Sequence, residues 1–263
     1  MKAFAGKHPI AFSILATVLA LVLYVLAGIA AAVASRDLIT YQAIEAVGRL
    51  MSAALVVALL WHLGWLRDAG VHRSGRAVVW LLTAAVMAYQ FAVTMIAFFG
   101  DLGFDVPNAA QAAAVALNGS AAGVLEEVVF RGVVLFALIN AWGRGERAIL
   151  KAVLWSSVLF GGSHLIRLAL GQPLGPVSLL TIDATISGIY YAAFVLYSRS
   201  LWPAIALHVA LNASVGARAI GVPEFQETVT GWLIILAWEL PLLVLGLFMV
   251  RMGSRVIAEQ PAG

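Results

Sequence analysis

Residues 10–34 read IAFSILATVLALVLYVLAGIAAAVA, a run of 25 residues without a charge. A helix needs ~20 consecutive apolar residues to cross the hydrocarbon core of a bilayer, so this stretch is a full span. Lys2 and Lys7 precede it, and Ala32-Val33-Ala34-Ser35 has the small-residue pattern of a signal cleavage site. A signal h-region, however, runs only about 7–15 residues, and the stretch is read as a retained span. Working outward, seven more segments qualify, at 43–65, 78–99, 109–142, 148–170, 177–197, 202–220 and 228–250, with short connections between them. The 109–142 segment is too long for one perpendicular helix, and Asn118-Gly119-Ser120 is the expected place for it to break.

Composition agrees with this reading. Of 263 residues 63% are hydrophobic and 11% charged, where a soluble domain carries roughly 25% charged residues, and the mean hydropathy is +0.99. The fold class is all-α: a polytopic membrane helix bundle of about eight transmembrane helices, forming one domain over 1–263. Strand alternation is absent, which removes a β-barrel. There is no cysteine, so disulfides, Fe–S clusters and thiol nucleophiles are excluded. The net charge of +3 is better explained by orientation in the bilayer than by a nucleic-acid partner, and none is expected. Lys2, Lys7, Arg67, Arg73, Arg76, Arg144, Arg147, Lys151, Arg199, Arg251 and Arg255 fall on one face of an eight-span chain, against Arg36, Arg49, Arg167 and Arg218 on the other. The second face also collects Asp37, Glu45, Asp101, Asp105, Glu224 and Glu227. By the positive-inside rule both termini are cytoplasmic.

The residues left at membrane depth are Glu126, Glu127, Arg131, His164, Asp183, His208 and Glu239, with Asn212 as a polar companion. A central Asp, Lys or Arg costs about 2.5–3.5 kcal/mol on insertion scales, so such groups face a bundle interior and mark functional candidates. Glu127 and Arg131 are four apart and share a helix face, which suits a carboxylate–guanidinium pair. Glu126 points about 100° away from its neighbour and remains available, with the small residues Ala122 and Gly123 leaving room one turn from it. His208 and Asn212 are also four apart. If these faces meet, one carboxylate, two imidazoles and a carboxamide surround a single site, a set suited to hydrolysis. Asp183 can serve a proton relay or a substrate contact, and a hydrogen bond to Thr181, Thr185 or Ser187 is equally natural, while Glu239 precedes Pro241 without an assigned use.

The three blocks Glu126-Glu127-x-x-x-Arg131, Phe160-x-x-x-His164 and His208-x-x-x-Asn212, in this order on successive helices within about 115–216, resemble the signature motifs of the CPBP intramembrane protease family. That family includes type II CAAX prenyl endopeptidases and bacterial bacteriocin-processing or self-immunity proteins. The resemblance implies an eight-helix endopeptidase, integral to the cell membrane and, by the bacterial branch, to a bacterial inner membrane. In its glutamate-dependent reading Glu126 and His164 activate the attacking water, and His208 with Asn212 stabilises the oxyanion. Glu127 and Arg131 brace the site, and Phe160 shapes the cavity wall. A zinc version would use Glu126, His164 and His208 as ligands around an open position. With no His-Glu-x-x-His pair, and each ligand on a different helix, the metal-free version is preferred and no cofactor is expected.

The substrate implied is a membrane-associated peptide or protein, met inside the lipid bilayer. Two rivals stand beside this reading. One is a proton-coupled transporter using Glu126, Asp183 and the histidines as a relay, against which the chain has no repeat symmetry. The other is a noncatalytic, peptide-binding or immunity member of the same family. Ser163 lies beside His164, but no Gly-x-Ser-x-Gly elbow is present to make it a nucleophile. The structural expectation is that Glu126, His164, His208 and Asn212 surround one cavity while Glu127 turns toward Arg131.

Overall fold

In lipid a backbone N–H or C=O has no water to bond, so each apolar run must close its own hydrogen bonds as helix. The computed structural model describes residues 1–100, 108–220 and 226–258, and Asp101, Asp105 and Glu224 lie outside them. Its elements are α1 (Lys2–Lys7), α2 (Pro9–Ala34), α3 (Leu38–Leu63), α4 (Ala77–Phe98), α5 (Ala109–Glu127), a π-helical stretch (Val128–Val134), α6 (Leu135–Trp142), α7 (Glu146–Ser163), α8 (Ile166–Ala169), α9 (Leu174–Ser198), α10 (Trp202–Ile220) and α11 (Val229–Ala258). The helix ends carry recognisable signals. Pro9 opens α2. Asp37 caps α3 by accepting from the backbone N–H of Ile39 and Thr40 at 3.1 and 3.0 Å, and Gly64 closes that helix at φ 72°.

Seven helices among the described residues are individually long and apolar enough to cross a membrane. The eighth expected segment, 109–142, is the composite of α5, the π-helical stretch and α6, whose middle is made polar by Asn118, Glu126, Glu127 and Arg131. The expected break at Asn118-Gly119-Ser120 does not occur. α5 runs through it unbroken because neighbours satisfy the polar groups: Asn118 bonds Gln42, Glu45 and Arg49 of α3, and Ser120 Oγ donates back to the Ala116 carbonyl at 2.7 Å. The irregularity falls about two turns later, at Val128–Val134, where the hydrogen bonds lengthen to the i→i+5 pattern of a π-helix. Ser156 Oγ of α7 donates to the Phe130 carbonyl there, at 2.9 Å. The expected 148–170 span is present as Glu146–Ala169, with a turn between α7 and α8 inside it.

α9 is the hub, packed against α7, α10 and α11, while α5 lies between α3 and α10. Small residues set these approaches. A Cβ at Gly188 of α9 would fall 2.8 Å from Ser157 Cβ of α7, and one at Gly246 of α11 would fall 2.9 Å from Tyr190 Cβ of α9. Close backbone approach of this kind drives helix association in membranes, where lipid is as apolar as the helix faces. The outward faces, such as Leu15, Leu19, Leu26 and Val33 of α2 and Val244 and Phe248 of α11, remain exposed and apolar, as lipid-facing surfaces must.

Three of the charges placed on a loop face by counting, Glu45, Arg49 and Arg218, are instead buried. Glu45 and Arg49 of α3 are buried and form a network with Asn118: Arg49 donates to Glu45 Oε1 and Asn118 Oδ1, each at 2.6 Å, and stacks over the Tyr24 ring at 4.0 Å. A pair four apart near a helix start reads as surface charge in sequence. Only the arrival of Asn118 from α5 makes it interior. Of the larger basic group, Arg144 meets Asp68 at 3.8 Å and Arg251 meets Glu146 at 3.5 Å. Ser200 Oγ donates to the Arg73 carbonyl at 2.5 Å.

Candidate active site

The approach of α10 to α5 builds the site. A Cβ at Gly119 would lie 2.9 Å from the Asn212 carbonyl oxygen, and one at Gly123 would lie 3.2 Å from the Val209 nitrogen. These two glycines, one turn apart, let α10 lie directly on α5 and carry His208 and Asn212 against the turn that bears Glu126 and Glu127. Gly123 was expected from sequence to leave room here. Gly119, within the expected break, serves the same contact.

The i,i+4 spacing of Glu127 and Arg131 gives the expected pair, with Arg131 Nη1 2.9 Å from Glu127 Oε1 and side chains 1% and 0% exposed. The same carboxylate oxygen receives His208 Nδ1 at 2.8 Å, a contact the sequence spacing did not reveal. A carboxylate only accepts, so Nδ1 of His208 carries its proton toward Glu127, and Nε2 is turned to Glu126, whose Oε2 is 3.5 Å away. His208 thus lies between the two adjacent carboxylates. Its ring is stacked on Tyr191, with centroids 5.1 Å apart and planes at 24°, and meets Phe160 edge-on at 5.8 Å. Arg131 sits over the Phe160 ring at 4.2 Å and over Tyr191 at 5.0 Å, so the buried cation is held by one carboxylate and two aromatic faces.

His164 stands where α7 ends, its backbone capping the helix. Its Nδ1 is 3.1 Å from the Phe160 carbonyl oxygen, and a carbonyl likewise only accepts, so the neutral ring presents an unprotonated Nε2. Ser163 spends its hydroxyl on the Phe160 carbonyl at 2.6 Å, which removes it as a nucleophile. Asn212 Nδ2 has a long bond of 3.4 Å to the Gly119 carbonyl.

His164, His208, Asn212 and Phe160 line one cavity of about 160 Å³. Glu126 is not in that wall but meets it through His208, with a side chain 22% exposed, and Glu127 and Arg131 stand behind it. The rest of the wall comes from helices that carry no recognisable motif: Gln90 and Thr94 of α4, Asp183, Ser187 and Tyr191 of α9, and Trp232 and Glu239 of α11. The expected site of three helices is therefore completed by three more. Asp183 does not make the bonds its neighbours offer, since Thr181 and Thr185 donate to the Val177 and Thr181 carbonyls at 2.9 and 2.8 Å and Ser187 pairs with Tyr190 at 3.0 Å. Gln90 and Tyr191 had one available signal, a polar atom inside an apolar run. Among the described residues no group of three or more His, Cys, Asp or Glu is placed to hold a metal ion.

Residues 108–214 match the family model of type II CAAX prenyl endopeptidase Rce1-like proteins. The match takes in all three motif blocks and supports the CPBP resemblance. No curated protein and no solved structure matches the chain.

Proposed function

With 108–214 similar to the Rce1-like endopeptidases as the premise, we propose that this chain is a CAAX-type intramembrane endopeptidase that hydrolyses a peptide bond of a membrane-associated peptide or protein without a metal. The observation that carries the reading is the placement of the two imidazoles on one cavity wall. His164 Nδ1 is engaged by the Phe160 carbonyl, which leaves Nε2 to meet water. His208 is held between Glu127 and Glu126, with Nδ1 2.8 Å from Glu127 Oε1 and Nε2 3.5 Å from Glu126 Oε2.

Water held by Glu126 and His164 attacks the scissile carbonyl carbon and gives a proton to Glu126. The oxyanion that forms accepts from His208 Nε2–H and Asn212 Nδ2–H. Collapse breaks the C–N bond, and Glu126 returns the proton to the departing amine, leaving a carboxylic acid and an amine. An oxyanion donor of this kind is worth about 2.7–4 kcal/mol in the transition state, and a positioned acid–base group about 10²–10⁴ in rate. Glu127 holds the ring of His208, and Arg131 neutralises Glu127. We further propose that both termini lie on the cytoplasmic side of a bacterial inner membrane, supported by the excess of Lys and Arg counted on the terminal side of the spans.

The test is cleavage of a peptide library tethered to an apolar anchor by the purified protein and by Glu126→Gln, with and without chelator. Expected are cleavage by the wild type that survives chelation, and a loss of about 10²–10⁴ in kcat for the variant. Undiminished cleavage by Glu126→Gln sinks the assignment, activity lost on chelation and restored by zinc replaces it with the metal route, and proton-driven solute uptake without cleavage replaces the enzyme with a transporter.

A further inference from the structure

A second polar group in the cavity takes no part in this chemistry. Gln90 of α4, Asp183 of α9 and Glu239 of α11 all line it, and Gln90 and Glu239 are each only 4% exposed. Gln90 Nε2 donates to the Tyr190 hydroxyl and, at 3.2 Å, to Glu239 Oε1. Its own Oε1 is left without a hydrogen-bond partner, as are Asp183 Oδ1 and Glu239 Oε2. Some nearby donors are already engaged, Ser187 with Tyr190 and Thr181 and Thr185 with carbonyls of their own helix, and among the described residues no Lys or Arg lines the cavity. Arg167 is held by Glu227, which does line it, through two bonds of 3.0 and 3.3 Å.

Unpartnered acceptors on three residues that line a membrane cavity, one from each of three helices, remain costly until a donor reaches them. Two of them are carboxyl groups, so the ligand that satisfies the set brings positive charge together with several N–H bonds, as an ammonium or guanidinium does. Leu180, Ala184 and Ile235 wall the same cavity and suit the alkyl stem of such a side chain.

We propose that Gln90, Asp183 and Glu239 form a subsite for a basic side chain, lysine or arginine, carried by the peptide substrate close to the bond that is cut. The inference rests on the endopeptidase reading, and the experiment keeps the two apart. Full-length protein in lipid nanodiscs is given anchored peptide pairs identical except for lysine against norleucine, or arginine against citrulline, at each of the positions flanking the scissile bond. At one position the basic peptide should be favoured in kcat/KM by roughly 10–100-fold, the range of a hydrogen-bonded charge. That ratio should fall toward one in Asp183→Asn and Glu239→Gln. The same pairs are tested for binding to Glu126→Gln protein, where the preference should persist in Kd.

Cleavage with equal use of basic and neutral peptides at every position overturns the subsite and leaves the peptidase standing. A binding preference that needs Asp183 and Glu239, with no cleavage by the wild type, overturns the peptidase and leaves the subsite standing. A preference that survives both amide substitutions overturns this placement of the subsite. Because the lysine–norleucine comparison needs no variant, poor folding of either substitution leaves it intact.

Discussion

Glu127→Gln separates bracing from chemistry more sharply than any other change in this protein. The substitution keeps the shape of a side chain that is fully buried and removes the charge that Arg131 and His208 share at 2.9 and 2.8 Å. Stripping one partner from a buried ion pair costs about 3–5 kcal/mol, because the other charge is left uncompensated. Arg131 stands over the faces of Phe160 and Tyr191 before and after the change, so these contacts do not offset the loss, and about 3–5 kcal/mol of stability is expected to go. The effect on His208 is separate. A neutral amide holds the ring less firmly than the carboxylate does, which loosens the placement of the His208 Nε2 donor and lowers kcat by about 10²–10³, with KM little changed. Thermal unfolding in nanodiscs and cleavage of an anchored peptide read the two effects. Glu127→Gln combined with Arg131→Met should recover most of the stability, as replacing a buried ion pair by apolar groups often does, and none of the activity. If Glu127→Gln unfolds with the wild type and cleaves within threefold of it, the shared carboxylate has neither role.

Three further outcomes follow from the packing and the caps. Gly123→Leu adds a side chain where a Cβ is already 3.2 Å from the α10 backbone. It should cost about 1–3 kcal/mol as overpacking and abolish cleavage by moving His208, read by unfolding and activity together. Arg49→Ala leaves the buried Glu45 without its 2.6 Å partner and should destabilise by about 3–5 kcal/mol, while kcat in the surviving folded fraction stays at the wild-type value. Asp37 is held below the ordinary carboxylate range, chiefly by its hydrogen bonds to Thr40. A lowered folded value means its stabilisation is fully present above the unfolded value of about 3.9 and is lost as pH falls through the lower folded value. The stability difference between wild type and Asp37→Ala should therefore be flat from pH 8 to 5 and shrink only in acid, as followed by helix content.

Some of this site was legible because it is local. Glu127 and Arg131 meet through the 3.6-residue period of a single helix, and that period holds wherever the helix packs. Glu126 is directed away from the pair for the same reason. His208 reaching Glu127 as well as Glu126 was not legible, because it depends on how closely α10 lies on α5, and that distance is set by Gly119 and Gly123 meeting the backbone at Asn212 and Val209. The same applies to Glu45 and Arg49. Their spacing predicts a pair, but their burial is decided by Asn118 on another helix. Gln90 and Glu239, 149 residues apart, carry no motif and no periodic relation to each other.

Long uncharged runs alone settle that this chain folds as helices across a membrane, because hydrocarbon leaves the backbone no partner but itself. Motif order along the chain likewise singles out the acids, imidazoles and amide worth attention. Which atoms face one another, where the long fourth segment becomes irregular, and which unlabelled helices close the cavity were decided by tertiary packing. Between helices in lipid, affinity comes from the close fit of small residues and from polar groups finding partners, and both are properties of pairs of surfaces that no single stretch of sequence contains.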